Sequence, residues 1–448
     1  MAEAPVRPTR RRDTRQQRGW YFYDWANSSF PTTVGTVFFG PYLIEVARAS
    51  VGPDGTVSLL GFGVAPQQLF FLALGLSALL QILVLPIIGA FADRSERKRA
   101  WLAGTAYTGA GLTMAMFLVV PGRWQLGFLL ILLANVAFSA SIVVYDSFLP
   151  EIAVADDRDR VSSRGWALGY IGGGLLLALN LVLYLTEPGG LSTEMTVRIS
   201  LGSAGVWWAL FTIIPLRALE DGPALRSAET DGNPVVSAFR ELGRTMRELR
   251  NYPETLKFLV AFLLYNGGVG TVIYAAGSYA TEELDVELAM LTAAILMVQF
   301  VAFFGALVLG RIAERAGART VVLWSLGLWS VVVVYGRFVP AGNLPVFFAL
   351  AAAIGFVLGG TQALSRSLFS HLVPKQREAE FFGFYQISDR GTSVVGQLGF
   401  VIAFGVFGSY REALLVLIIF FIAGGLMLVM TDFRKGIDAV GNEQPHVL

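Results

Sequence analysis

The sequence predicts an all-α integral membrane protein whose twelve transmembrane helices form two parallel six-helix halves. Three observations lead there. The chain is 54% hydrophobic and 15% charged, against about 25% charge in soluble domains, and its apolar residues gather in runs of about twenty, the length that crosses a hydrocarbon core. Loops between the runs alternate between rich and poor in arginine and lysine. A short loop motif after the second run recurs after the eighth.

The first six runs fall at about 27–47, 67–90, 100–120, 125–147, 165–187 and 199–217. Residues 1–18 carry six arginines and no apolar core, as a retained cytoplasmic flank does and a cleaved signal does not. The N-terminal half is therefore 19–217. The stretch 218–254 opens on the turn-forming Glu220-Asp221-Gly222-Pro223. It continues with Val235, Phe239, Leu242, Met246 and Leu249 at helical spacing, opposite Arg240, Arg244 and Arg247. This pattern predicts an amphipathic helix on the membrane surface, tethering the halves. Runs at about 255–280, 289–310, 320–338, 345–370, 384–407 and 411–431 complete a C-terminal half, 255–434, followed by a cytoplasmic tail, 435–448.

Charge sets the orientation. Of 34 basic residues, Arg48, Arg123, Arg198, Arg337 and Arg411 fall in one set of alternate loops, Arg366 and Arg390 fall inside runs, and the other 27 fall in the opposite loops and the termini. The positive-inside rule then places both termini in the cytoplasm. Thirty of the 34 are arginine, a bias of GC-rich bacterial genomes, so the expected location is a bacterial plasma membrane.

The recurring motif is Gly-x3-acid-Arg-x3-base: Gly89, Asp93, Arg94 and Lys98, then Gly310, Glu314, Arg315 and Arg319, offset by 221 residues. Matching copies in two six-span halves are the mark of parallel transporter repeats. The first copy resembles the loop signature of the major facilitator superfamily, and the second resembles its degenerate echo.

Longer runs narrow this. Asp24-Trp25-Ala26-Asn27-Ser28-Ser29, Tyr145-Asp146-Ser147-Phe148-Leu149-Pro150, Gly359-Gly360-Thr361-Gln362-Ala363-Leu364-Ser365-Arg366-Ser367 and Phe381-Phe382-Gly383-Phe384-Tyr385 resemble the vacuole-effluxer-like family of that superfamily. The resemblance covers nearly the whole chain. It implies a twelve-helix transporter working by alternating access, and its fungal member is associated with amino-acid export from the vacuole. The chain departs from the family where Gly267 follows Tyr265 and Asn266 in place of an aspartate, where Asp389-Arg390 replaces Gly-Lys, and where Gln397 replaces a proline.

Polar groups inside spans are costly and mark working sites. Asp24, Asn27 and Ser28 share a face of the first span. Asp24 either binds an amine or a proton in the cavity or, near the cytoplasmic end, caps the helix or pairs with an N-terminal arginine. Tyr265 and Asn266 open the other half, as cavity lining or as helix packing. Gln362 and Arg366 share a face of the tenth span. Arg366 either clamps a substrate carboxylate or pairs with an acid such as Asp146. Asp389 and Arg390 lie a few residues into the eleventh span, open to gating or substrate contact. Asp93, Arg94, Asp146, Glu314 and Arg315 are expected at the gate: the superfamily resemblance implies that an acid such as Asp93 or Glu314 meets the start of a helix in the opposite half when the cytoplasmic side closes.

The expected function is secondary transport of a small polar solute, with protons as a candidate coupling ion and lipid as the surrounding partner. Amino-acid efflux is the substrate reading that the resemblance implies. A multidrug-type exporter and a transport-inactive sensor on the same fold are the alternatives. No Gly-x4-Gly-Lys-Ser/Thr motif is present to bind ATP. An enzyme would have to work with no cysteine, two histidines (His371 and His446) and no Gly-x-Ser-x-Gly elbow. No cofactor, metal site or nucleic-acid contact is expected.

Overall fold

The computed structural model describes residues 13–52, 55–59, 61–222 and 247–448. The expected amphipathic helix of the tether falls almost entirely on 223–246, outside the described residues.

The first rod is composite. Helix α1 (Arg15–Asn27) leads through a π-helical segment (Phe30–Phe38) into α2 (Phe39–Val51). Pro31 explains the widening, because it has no N–H to donate to the preceding turn. Thr14 and Gln17 form a reciprocal capping box at the start of α1, so the rod begins inside the expected flank. Hydropathy missed this turn because arginines and tyrosines dominate it. It is held by packing: Trp20 and Tyr23 are fully buried, Trp20 stacking on Tyr145 and Tyr23 meeting it at a tilt.

The hairpin β1 (Val57–Leu59) and β2 (Phe62–Val64) follows. Helices α3 (Leu69–Arg94), α4 (Lys98–Ala115), α5 (Trp124–Asp146), the short α6 (Leu149–Ile152), α7 (Arg158–Thr186) and α8 (Thr193–Ala218) complete the first half. The second half is α9 (Pro253–Ser278), α10 (Leu288–Ala316), α11 (Ala318–Arg337), α12 (Leu344–His371), α13 (Glu378–Phe407) and α14 (Tyr410–Met430), with a short α15 (Phe433–Ala439) in the tail. Nine of the rods are by themselves long and apolar enough to cross a membrane, among the described residues. The other three are the composite first rod, α4 and α13. The last starts six residues earlier than its apolar run, because Glu378 and Glu380 sit in its first turn, where acids suit a helix N-terminus.

Each half has its own apolar core, one centred on Trp20, Tyr145 and Trp208, the other on Phe258, Tyr265, Trp329 and Phe369. The halves meet where α3 and α5 pack on α13, and where α7 packs on α10 and α12. Glycines make these seams close. A Cβ at Gly310 on α10 would stand 2.3 Å from Ser163 Oγ on α7, and one at Gly89 would stand 2.4 Å from the Ala379 carbonyl oxygen on α13. Hydrogen bonds and ion pairs between the halves gather at the end of the bundle that carries both termini, hereafter the terminal face.

Candidate functional site

Two polar clusters stand out, one bridging the halves and one within the second half. The lower one, near the terminal face, is built on Arg366. Its guanidinium, 3% exposed, donates to Asp24 Oδ2 at 3.0 Å and to Asp146 Oδ1 at 3.1 Å. Nη1 also donates to Asp24 Oδ1 at 3.4 Å, and Nε and Nη2 donate to the Ser162 hydroxyl and carbonyl, both at 3.0 Å. Trp20, Tyr145 and Trp166 present their rings to the cation at 4.6, 5.6 and 5.4 Å. The cation comes from α12, and its partners come from α1, α5 and α7. Gly165 leaves the space, since a Cβ there would lie 2.6 Å from Asp24 Oδ2 and 3.0 Å from Arg366 Nη2. Of the two sequence readings of Arg366, pairing with Asp146 is the one seen in this state, and Asp24 joins it.

Around this cluster the halves are stitched together. Ser162 donates to the Ala363 carbonyl at 2.6 Å, and Arg158 to that of Ser370 at 2.8 Å. Asp93 accepts from the backbone N–H groups of Ala379 at 2.9 Å and Glu380 at 2.8 Å, an anion docked on the N-terminus of α13. Lys98 stands 3.5 Å from Asp93 and 2.6 Å from Glu151. Arg94 lies half-buried at the end of α3. The second copy of the motif behaves differently. Gly310 abuts Ser163, but Glu314 and Arg315 stay exposed on the last turn of α10. The docking of a motif acid on a helix start is thus seen in the first copy alone among the described residues. The physical reason is that the opening turns of α7 are committed to α12, where Asp159 accepts from Ser367 and Ser162 reaches Ala363.

The upper cluster is a hydrogen-bonded relay. Gln362 Nε2 donates to Asn266 Oδ1 at 2.7 Å, and Asn266 Nδ2 donates to Asp389 Oδ1 at 2.8 Å. Arg390 Nε lies 4.0 Å from Asp389 Oδ2, and both side chains are 27% exposed. Because α13 begins at Glu378, Asp389 is three turns into its helix, deeper than the apolar run implies.

Three residues expected at the cavity serve other purposes or remain unpaired. Tyr265 is fully buried, and its hydroxyl bonds Ser365 at 2.7 Å, which seals α9 to α12. Ser28 lies in the α1–α7 seam against Gly169 and Gly173. Asn27 is buried, with its Nδ2 lacking a hydrogen-bond partner. Ser162, Gly165 and the ring cage were missed. So was a neutral mid-bundle group, in which Asn135 donates to Ser77 at 2.7 Å beside the fully buried Gln81. A signal existed for it: Asn135, Ser139 and Asp146 share one helical face within a very apolar run.

The family described as vacuole effluxer Atg22 like matches residues 12–441. The chain is 30% identical over 432 residues to an uncharacterized MFS-type transporter, YxiO, of Bacillus subtilis (strain 168), covering 96% of this chain and 97% of the relative. It is 25% identical over 559 residues to autophagy-related protein 22-1 of Penicillium rubens, covering 98% and 94%. Its fold superposes on the major facilitator superfamily proton:xylose symporter XylE with a TM-score of 0.67 at 10% identity, over 93% of this chain and 95% of that one. With twelve rods in two halves and ion pairs bridging them, the chain belongs to the vacuole effluxer Atg22-like family and is a multi-pass membrane transporter of the major facilitator type.

Proposed function

We propose that the protein is a secondary active exporter of a small polar solute, an amino acid by the family resemblance, driven by proton entry and working by alternating access. The terminal face is the cytoplasmic one, and the membrane is a bacterial plasma membrane. The observation that carries this is the charge count of the lower cluster: two carboxylates and one guanidinium, all nearly inaccessible, drawn from both halves. Asp24 and Asp146 give Arg366 one negative charge more than it can neutralise. An uncompensated buried charge is expensive, and in this reading one proton per cycle neutralises it.

That supplies a coupling device. With both carboxylates ionised, Arg366 holds α1 and α5 to α12 and keeps the terminal end shut. A proton arriving from the far side neutralises one carboxylate, removes one arm of the latch and lets the terminal end open. Release of the proton to the cytoplasm, and loading of solute there, restore the arm and turn the loaded cavity outward.

The test is flux from proteoliposomes loaded with labelled amino acids. An acidic exterior should accelerate solute exit, and Asp146→Asn should abolish that acceleration while leaving gradient-driven exchange. Exit indifferent to the pH difference in the wild type would sink the proton-driven reading.

A further inference from the structure

The chain after α14 turns back onto the bundle. The backbone N–H of Asp432 donates to Glu254 Oε2 at 2.8 Å, at the start of α9. Helix α15 then packs on the second half: Ile437 is fully buried, Phe433 is nearly so, and a Cβ at Gly436 would lie 2.6 Å from Leu372 Cδ2. Gly441, with φ at +72°, turns the chain. Asn442 follows, and its Nδ2 donates to the carbonyls of His371 at 2.9 Å and Val373 at 2.8 Å. The last carbonyls of a helix have no partner within it, so Asn442 both satisfies the end of α12 and fixes the tail there.

From Asn442 the tail crosses to the first half. The charge of Glu443 acts on Arg158, the first residue of α7. The backbone N–H of His446 donates to Asp156 Oδ1 at 2.7 Å, two residues ahead of α7. The tail then returns to the second half. Leu448 closes on Gly317, between α10 and α11, so tightly that a Cβ there would overlap the Leu448 carbonyl. In order, the contacts run from the end of α12 to the start of α7 to the end of α10. Those three helices pack together at this seam between the halves, so the crossing lies where separation of the halves would stretch it.

We propose that the tail is a strap across the terminal face. Asn442 and Leu448 anchor it on the second half, and the contact of His446 with Asp156 clasps the start of α7, so the terminal end opens only when the strap lets go. It restrains the same movement as Arg366, but from outside the bundle. The side chains of His446 and Asp156 are 89% and 49% exposed, so the clasp can be undone without leaving a buried charge unpaired. This rests on the terminal face opening and closing, as the transporter reading requires.

The test uses single cysteines in a chain that has none of its own. Ser163 on α7 is buried in the seam against Gly310, and Ser325 on α11 is buried inside the second half. Neither hydroxyl has a hydrogen-bond partner, so Ser163→Cys and Ser325→Cys lose no bond. Each reporter is placed in nanodiscs and exposed to a membrane-impermeant maleimide. Asp156→Ala should speed labelling of the Ser163→Cys reporter about fivefold, the order of one net hydrogen bond. His446→Pro, which removes the donating N–H, should do the same, and ending the chain at Val440 should do at least as much. Asp156→Ala combined with His446→Pro should add nothing to either alone, because both break one contact. The Ser325→Cys reporter should be unchanged throughout. Arg366→Gln, which opens the latch, is the reference and should also speed the seam reporter. Acceleration by Arg366→Gln with wild-type labelling in the three tail variants overturns the strap and leaves the transporter standing. Unchanged labelling in every variant, Arg366→Gln included, overturns the strap and the alternating-access reading together. Parallel acceleration of the Ser325→Cys reporter marks a loosened fold in place of an opened face, and overturns the strap too.

Discussion

Arg366 shows why a buried ion cluster is better read as a switch than as a source of stability. Each contact at about 3 Å is worth roughly 5 kcal/mol at an effective dielectric of 20. Taking three ions out of water costs several kcal/mol apiece. The terms nearly cancel, so what remains is geometry: the guanidinium fixes which helices touch. Removing the cation does not cancel. Arg366→Gln leaves Asp24 and Asp146 buried without a counter-charge, and a loss of about 3–5 kcal/mol is expected, seen as a lowered melting temperature in detergent. Asp146→Asn leaves a one-to-one pair and should melt close to wild type. Equal melting of the two variants would contradict this balance. The sequence made Arg366 and both acids visible because charges inside apolar runs stand out. It left Arg366 open between a substrate clamp and an acid pairing, because helical spacing says which face a residue occupies and not which helix lies opposite. Trp20, Tyr145 and Trp166 were hidden for a related reason: in a chain with 33 Phe and 9 Trp, aromatics that cage a cation look like any others.

At the scale of elements, the seams depend on glycines with no room for a methyl group. Gly359→Ala would drive a Cβ to 2.1 Å from the Ala302 carbonyl oxygen on α10, backbone that cannot swing aside, and should cost about 1–3 kcal/mol. Gly111→Ala on α4 meets nothing within 4 Å and should be neutral or gain up to about 1 kcal/mol of helix propensity. Thermal melting of the two side by side checks the difference. Asp93 on the N-terminus of α13 is a second kind of seam. Asp93→Asn removes the charge that the helix dipole favours and should shift the closed-to-open balance of the terminal face by about 1–2 kcal/mol, roughly 5–30-fold in population. The elements themselves were largely legible, because the loop charges alternate and tie hydropathy to topology. Boundaries failed where polar residues continue a helix: at Arg15 ahead of α1, and at Glu378 ahead of α13. The repeat was legible as a motif but not as a pair of equal contacts. Asp93 docks and Glu314 does not, and that difference arises from how α7 is stitched to α12.

For the whole molecule, bonds between the halves concentrate at the terminal face, and the charged pair Asp389–Arg390 lies further in, partly open. This is the arrangement of a transporter closed at one end. Its counterpart, closed at the other end, must break the Arg366 cluster and the Asp93 dock together, because both join the same two halves. The chain has no cysteine, so paired spin labels can be placed without removing native thiols. The most direct measurement is electron–electron distance across the two faces: Glu96→Cys with Lys375→Cys at the terminal face, and Gln125→Cys with Ala341→Cys at the far face, in the wild type and in Arg366→Gln. The account predicts that opening the latch lengthens the first distance and shortens the second in the same population of molecules. If Arg366→Gln leaves both distances unchanged, or moves them in the same direction, the two halves do not rock about this seam and Arg366 is not the latch.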